Sequence, residues 1–387
     1  MTPAAPIVEV CDSIAAIPAH EWNRLAGDDP LLRHEFLHAL HETGCASADA
    51  GWAPSFLILR ENGAFAGAMP LYLKSHSYGE YVFDWAWADA YQRHGLAYYP
   101  KLLSAIPFTP VTGNRMLADT PERRGLLIDA ALQLARETRV SSLHCLYPTA
   151  EHADELQDRG MTLRHGVQFH WRNDGYADFD GFLATFNHDK RKKIKQERRR
   201  VRDAGISFEW FSGRAITDAL WAFFNRCYRT TYRQHHSTPY LNLDFFRAIG
   251  ERMPENLALI VATREGNPIA ASLNVHNGKR LCGRYWGAIE HHPSLHFETC
   301  YYQVIEFCIA NGIATFEGGA QGEHKIARGL LPVKTQSAHW LAHPRFAAAI
   351  DDFLQRETRG VAVYLDELNE RTPFKQTTAP QVPADAP

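Results

Sequence analysis

Nowhere do the 387 residues sustain the roughly 18 consecutive apolar side chains that a membrane-spanning helix needs, so the chain is not expected to be an integral membrane protein. The first twenty residues hold neither Lys nor Arg and no apolar core, which removes the signature of a secretory leader and leaves a cytoplasmic protein as the expectation. Seven cysteines are scattered without a C-x-x-C pair, which argues against a disulfide framework and against a cysteine zinc site; a reducing compartment fits. Charge of one sign is missing too. With 41 Lys and Arg against 44 Asp and Glu, any contact with a polyanion has to be local. No G-x-S-x-G elbow is present and no cysteine sits beside an evident base, so a covalent intermediate is not expected.

One apparent metal motif carries little weight. His34–His38 reads H-E-F-L-H on an expected helix capped by Asp28 or Asp29, matching the zinc-hydrolase pattern H-E-x-x-H, but no further glycine and third histidine follow at the required spacing. Three fixed positions arise readily by chance among 20 histidines, and the pairs His235–His236 and His291–His292 diverge on regular elements, so no metal ligand is assigned.

The chain has what a globular protein of two domains requires: 45% apolar residues, 22% charged residues and a length beyond the usual single core. The order of elements repeats. Phe56–Leu73 reads as strand, Asn62–Gly63 turn, strand; Ala258–Val275 repeats this with a Gly266–Asn267 turn. Each hairpin leads to an aromatic strand, Tyr81, Phe83, Trp85, Trp87 in the first half and Leu281 to Ile289 in the second, and then to a Tyr–Tyr pair, Tyr98–Tyr99 and Tyr301–Tyr302. A helix and a strand follow each time: 125–137 before 142–147, and 298–310 before 313–316. This predicts an α+β fold made of two tandem domains, 1–175 and 176–371, each a mixed, mostly antiparallel sheet flanked by helices, with a disordered tail at 372–387.

Between the halves, nine of the eighteen residues from His188 to Gly205 are Lys or Arg, with Ile194 and Val201 one heptad apart and Gly205 as a stop; an amphipathic basic helix over 188–204 is expected. Its charge suits the phosphates of a tRNA or a coenzyme, or equally a solvated helix face. The densest chemistry lies at Phe316–Pro332, F-E-G-G-A-Q-G-E-H-K-I-A-R-G-L-L-P, where four glycines and five titratable side chains follow a short strand.

The order meander, helix, strand, helix, strand is that of a GNAT-type acyltransferase domain. Two such halves, K-R-K-K-I-K from Lys190, and the stretch Thr217 to Arg247 together resemble the FemAB-like branch of the GNAT superfamily over nearly the whole chain. E-G-G-A-Q-G-E-H-K-I-A-R-G at Glu317–Gly329 and P-F-T-P-V-T-G-N-R at Pro107–Arg115 resemble a bacterial subfamily of N-acyltransferases of that branch. The resemblance implies transfer of an acyl or aminoacyl group from an acyl-CoA or aminoacyl-tRNA co-substrate to a small-molecule or peptidoglycan-precursor amine, with tRNA as a candidate partner and no tightly bound cofactor. One departure bears on the donor. The Arg/Gln-x-x-Gly-x-Gly/Ala loop that holds the acetyl-CoA pyrophosphate at a helix N-terminus is not kept, because P-E-R-R-G-L-L-I from Pro121 places Leu127 where a small residue belongs.

Acyl transfer to an amine needs a base, donors for the oxyanion and positioning of both substrates. Glu317 is the first candidate base and His324 the second, with Lys325 completing the catalytic set. Gly318, Gly319 and Gly322 are expected to offer backbone N–H groups to the donor as an anion nest, and Gln321, Glu323 and Arg328 to touch substrate. Arg284, Tyr285, Trp286, His296, Glu298 and Tyr301 should face the same cleft, and Trp85 and Arg115, with Asp84, Asp89 and His94 nearby, an acceptor pocket in the first half. The rival readings are a noncatalytic RNA-binding protein using helix 188–204, and a zinc hydrolase at His34–His38.

Overall fold

The computed structural model describes residues 5–320 and 322–375. Its strands are β1 Ile7–Cys11, β2 Trp52–Pro54, β3 Phe56–Glu61, β4 Ala64–Met69, β5 Tyr72–Lys74, β6 Lys101–Ser104, β7 Ser142–Leu146, β8 Thr162–Arg172, β9 Ile206–Ser212, β10 Leu257–Arg264, β11 Asn267–His276, β12 Arg280–Ala288, β13 Thr315–Glu317 and β14 Leu331–Leu341. β1, β3 and β4 form a small sheet. The other eleven form one mixed sheet in the order β2-β5-β6-β7-β14-β8-β13-β12-β11-β10-β9. The halves therefore interlock: β14, from the second, lies between β7 and β8 of the first, and β8 pairs with β13 on its other edge.

Each half contains one parallel neighbour pair joined by a helix. Pro121–Glu137 connects β6 to β7, and the helical segment 295–310 connects β12 to β13. Parallel strands need such a crossover because a tight turn cannot reverse the chain twice. The helix Pro121–Glu137 starts where its sequence says it should: Thr120 accepts from the Arg123 N–H and Pro121 takes the first turn.

Helices cover both faces of the large sheet. His34–Glu42, Asp218–Gln234 and Leu243–Arg252 pack on one face around Phe224, Tyr228, Phe246, Leu259 and Leu273. Phe179–Ala184, His188–Asp203 and 295–310 pack on the other around Phe182, Ile194, Ile260, Tyr302 and Phe316. The basic helix runs His188–Asp203 as expected, with Ile194 and Val201 buried and Asn187 as its cap. His34 Nε2 bonds to the Ile14 carbonyl, and the helix at His34 begins after Arg33 with no side-chain cap, so Asp28 and Asp29 do not cap it. Among the described residues no group of His, Cys, Asp and Glu could hold a metal, and no helix is long and apolar enough to cross a membrane.

Three expectations are corrected here. The aromatic stretch 81–87 is no strand: Trp85–Arg93 is a helix whose Trp87 and Tyr91 are buried against the C-terminal helix Pro344–Glu370. The second hairpin turns at Glu265–Gly266, both at positive φ, and Asn267 already opens β11. Thr372–Lys375, read as the start of a disordered tail, is ordered, because Phe374 packs on Phe186 and Lys375 N–H donates to the Thr185 carbonyl; 376–387 lie outside the described residues.

Candidate active site

The site grows out of a mismatch between two neighbouring strands. β13 pairs with β12 only over Arg280–Cys282 and then stops, while β12 runs on to Ala288. β12 also bulges opposite Leu273 and Asn274, so Arg284 stands outside the regular ladder. The gap beside β12 is a cavity of about 270 Å³ lined by Arg284, Tyr285 and Trp286, by Tyr228 and Tyr232 from the facing helix, and by His296, Cys300, Tyr301, Phe316, Gly318 and Tyr81. Gly287 makes this approach possible: a Cβ there would lie 2.1 Å from the Cys227 carbonyl oxygen, so only glycine lets helix Asp218–Gln234 settle onto β12. A wide π-helical turn at Glu298–Tyr302 points Tyr301 and Tyr302 inward together, Tyr301 toward His324 Nε2 at 3.1 Å and Tyr302 toward Glu197.

Glu317 ends β13 and is 5% exposed. One carboxylate oxygen accepts from Arg280 at 3.3 Å; the other is buried with no partner. Burial outweighs the attraction of Arg280 and raises its pKa to about 7. Glu317 does not itself line the cavity, but Phe316 and Gly318 on either side of it do. Arg280 also donates to Asp29 at 2.9 Å and to the Thr112 carbonyl at 2.7 Å. Together with Arg284 to the Phe108 carbonyl and Gln168 to the Pro110 carbonyl, it binds alternate residues of Phe108–Thr112, and that segment of the first half becomes a strap across the sheet of the second.

Around the loop, Lys325 is buried and donates to the Gly319 carbonyl at 3.0 Å; burial lowers its pKa to about 8. His324 is exposed at the loop surface beside Tyr301 and His296, and partial desolvation, then Arg328, lowers its pKa. Gly319 and Gly322 have positive φ, whereas the Gly318 N–H is spent on the Phe169 carbonyl and is lost to an anion nest. Gln321 lies outside the described residues. A second cavity, of about 220 Å³, opens between Tyr81–Phe83, Tyr147, β8 and β14; Ala320 borders it, and Tyr81 borders both.

Several expected contacts are structural instead. Arg115 is fully buried and donates to the carbonyls of Leu146, Asn114 and Val111, which leaves it no face toward a ligand. Trp85 is 41% exposed and meets Tyr78 edge-on, bordering a groove with Asp89 in the first half, away from the glycine loop. Asp84 is buried against Lys101, and His94 bonds to its own helix. Glu298 pairs with Arg198 at 3.0 Å and faces the cavity under the basic helix. Glu323 is held by Tyr364 at 2.7 Å and Arg371 at 2.8 Å, and Arg328 by Glu197 at 3.0 Å. Arg284, Tyr285, Trp286, His296 and Tyr301 do meet at one cavity. The reading from sequence missed Tyr228 and Tyr232, four residues apart on one helix face, which an i, i+4 aromatic pair could have signalled, and Arg280 and Asp29, for which a separation of 251 positions leaves no signal.

Two tandem GNAT-like domains share the large sheet, and the second opens a cavity between diverging strands. The FemAB-like family, described as peptidoglycan biosynthesis/recognition, matches residues 13–376, and the chain belongs to it. The protein is accordingly a transferase. Among solved structures, the C-terminal domain of a putative lysylphosphatidylglycerol synthetase from Agrobacterium fabrum aligns with TM-score 0.55 at 10% identity, covering 88% of this chain and 97% of its own. FemX aligns with TM-score 0.53 at 11% identity over 87% and 98%, and L-PGS from Bacillus licheniformis with TM-score 0.52 at 10% identity over 84% and 97%. At these identities the likeness is one of fold. No curated protein matches the chain.

Proposed function

We propose that the protein is an N-acyltransferase that moves an acyl or aminoacyl group from a CoA or tRNA donor onto the amine of a peptidoglycan or related cell-envelope precursor. The amine nitrogen attacks the donor carbonyl carbon, the proton it sheds passes to Glu317, and the ester or thioester bond breaks as the tRNA hydroxyl oxygen or coenzyme sulfur departs and takes that proton back from Glu317. The observation that carries this reading is the unpartnered buried oxygen of Glu317 beside the cavity: a carboxyl with a pKa of about 7 is poised to accept a proton near neutrality. His324, bonded to Tyr301, is the second candidate for that role. Lys325 fixes Gly319 and sets a positive charge under the glycine turn, where a developing oxyanion would be stabilised.

Two cavities that share Tyr81 and are bordered by Gly318 and by Ala320 suit two substrates, the donor beside β12 and the acceptor beside β8 and β14. The family description and the fold shared with FemX favour an envelope-precursor acceptor. Incubation with panels of acyl-CoAs and charged tRNAs, following donor loss, tests the reading. Transfer should appear with one donor class and fall at least about 100-fold in Glu317→Gln. Donor loss that persists unchanged in both Glu317→Gln and His324→Ala removes the proposed machinery.

A further inference from the structure

Arg284 is a cation without an anion. Its Nη2 donates to the Phe108 carbonyl, to Thr109 Oγ1 at 3.4 Å and to the Tyr285 hydroxyl at 3.2 Å, all neutral, and its guanidinium lies 4.8 Å from the Tyr285 ring centre. Its Nε is buried and unpartnered. Among the described residues that line the cavity there is no Asp, Glu or Lys, so the whole lining carries a single formal charge, positive. Arg284 acts on the carboxyl of Glu317 only weakly and at a distance: the ion pair of that carboxyl is with Arg280, and burial drives it toward the neutral form. A half-buried guanidinium with no ion-pair partner is poorly compensated, and an entering anion supplies the charge it lacks. The remaining walls are flat. Tyr228, Tyr232, Trp286 and Tyr301 present rings and neutral hydroxyls, burial having raised the pKa of each of those three tyrosines.

We propose that the cavity beside β12 is an anion-binding pocket in which Arg284 takes a carboxylate or phosphate carried on a flat, largely apolar group. This rests on the reading of that cavity as the donor side of an acyl transfer, and it narrows the donor: the group seated there is anionic, and an ammonium is refused. A purely structural Arg284, serving only to hold the Phe108 strap, would confer no such selectivity.

Calorimetric titration of the full chain with benzoate, phenyl phosphate, benzyl alcohol and benzylamine tests this without turnover. At least one anion should bind about tenfold or more tighter than the alcohol and the amine, and that preference should vanish in Arg284→Met and shrink in Arg284→Lys. A preference for benzoate assigns the anion to a carboxylate, and one for phenyl phosphate to a phosphate of the donor. Benzylamine or benzyl alcohol binding as tightly as the anions, no saturable binding by either anion, or anion binding unchanged in Arg284→Met overturns the proposal. Should both variants fail to fold, the selectivity of the unaltered protein decides. Glu317→Gln separates the two ideas: if it leaves transfer intact while benzoate selectivity stands, the reaction assignment fails and the pocket survives; if it stops transfer and no anion binds, the reverse holds.

Discussion

In the first half the parallel pair β6 and β7 opens toward Val111–Arg115, and in the second the pair β12 and β13 opens toward Gly318–Gly322. Past the first pair the chain closes the opening with its own backbone: Gly113 N–H donates to the Tyr147 carbonyl, and Arg115 satisfies three carbonyls while fully buried. Past the second pair, β13 stops after three residues, glycines turn the chain away and Arg284 is left beside empty volume. Duplicated strands thus provide two openings. What each becomes depends on whether its polar groups are already paired within the protein, since a satisfied arginine is a brace and an unsatisfied one is a receptor.

The comparison is broken most severely at the brace. Arg115→Met leaves the carbonyls of Leu146, Asn114 and Val111 without their donor, and at about 1–3 kcal/mol for each buried acceptor left unmade the variant should lose about 4 kcal/mol in urea denaturation. Arg284→Met should cost much less, because the cavity admits water to replace it. Equal losses at the two arginines would abolish the distinction between a sealed and an open half.

Glu317 offers the next largest effect and a second sign to check. Burial raises its pKa from 4.5 to about 7, so the fold favours the protonated form. Its contribution is present in full below pH 4.5 and is lost as pH rises through about 7, where a carboxylate only partly compensated by Arg280 must be buried. Glu317→Gln should therefore be more stable than the parent at pH 8, by on the order of 1–3 kcal/mol, and no more stable at pH 4, while transfer collapses. For the unaltered protein the same titration makes the transfer rate rise with pH up to about 7. A variant that is both less active and less stable at pH 8 would make Glu317 a structural ion-pair partner of Arg280.

How much of this could be read beforehand follows the range of each signal. Asn62–Gly63 announced its hairpin because a two-residue turn with both φ positive is written in two adjacent residues. The glycine loop after β13 was likewise visible as local composition. Alternating Tyr81, Phe83, Trp85 and Trp87 imitated a strand, and the helix that forms instead is decided by Phe346, Ile350 and Leu354, far along the chain, against which Trp87 and Tyr91 are buried. The site divided the same way. Residues carried by one strand, such as Arg284 to Trp286, were expected together and do line one cavity, whereas Glu298, Glu323 and Arg328 were assigned to substrate because their partners Arg198, Arg371 and Glu197 lie on distant segments of the chain.

The smallest effect sharpens the contrast most finely. The glycine loop of the second half is tied to the C-terminal helix from outside, where Glu323 accepts from Tyr364 and pairs with Arg371, both groups about half exposed. Solvent screens such a pair, so Glu323→Gln should cost no more than about 1 kcal/mol in urea denaturation, and less again in high salt. Lys325 and its bond to Gly319 would still hold the loop from beneath, so transfer by Glu323→Gln should stay within about threefold of the parent. A loss of activity comparable to that of Glu317→Gln would mean that the loop is positioned by its outer staple rather than by the buried lysine, and that the open half depends on the C-terminal helix for its shape.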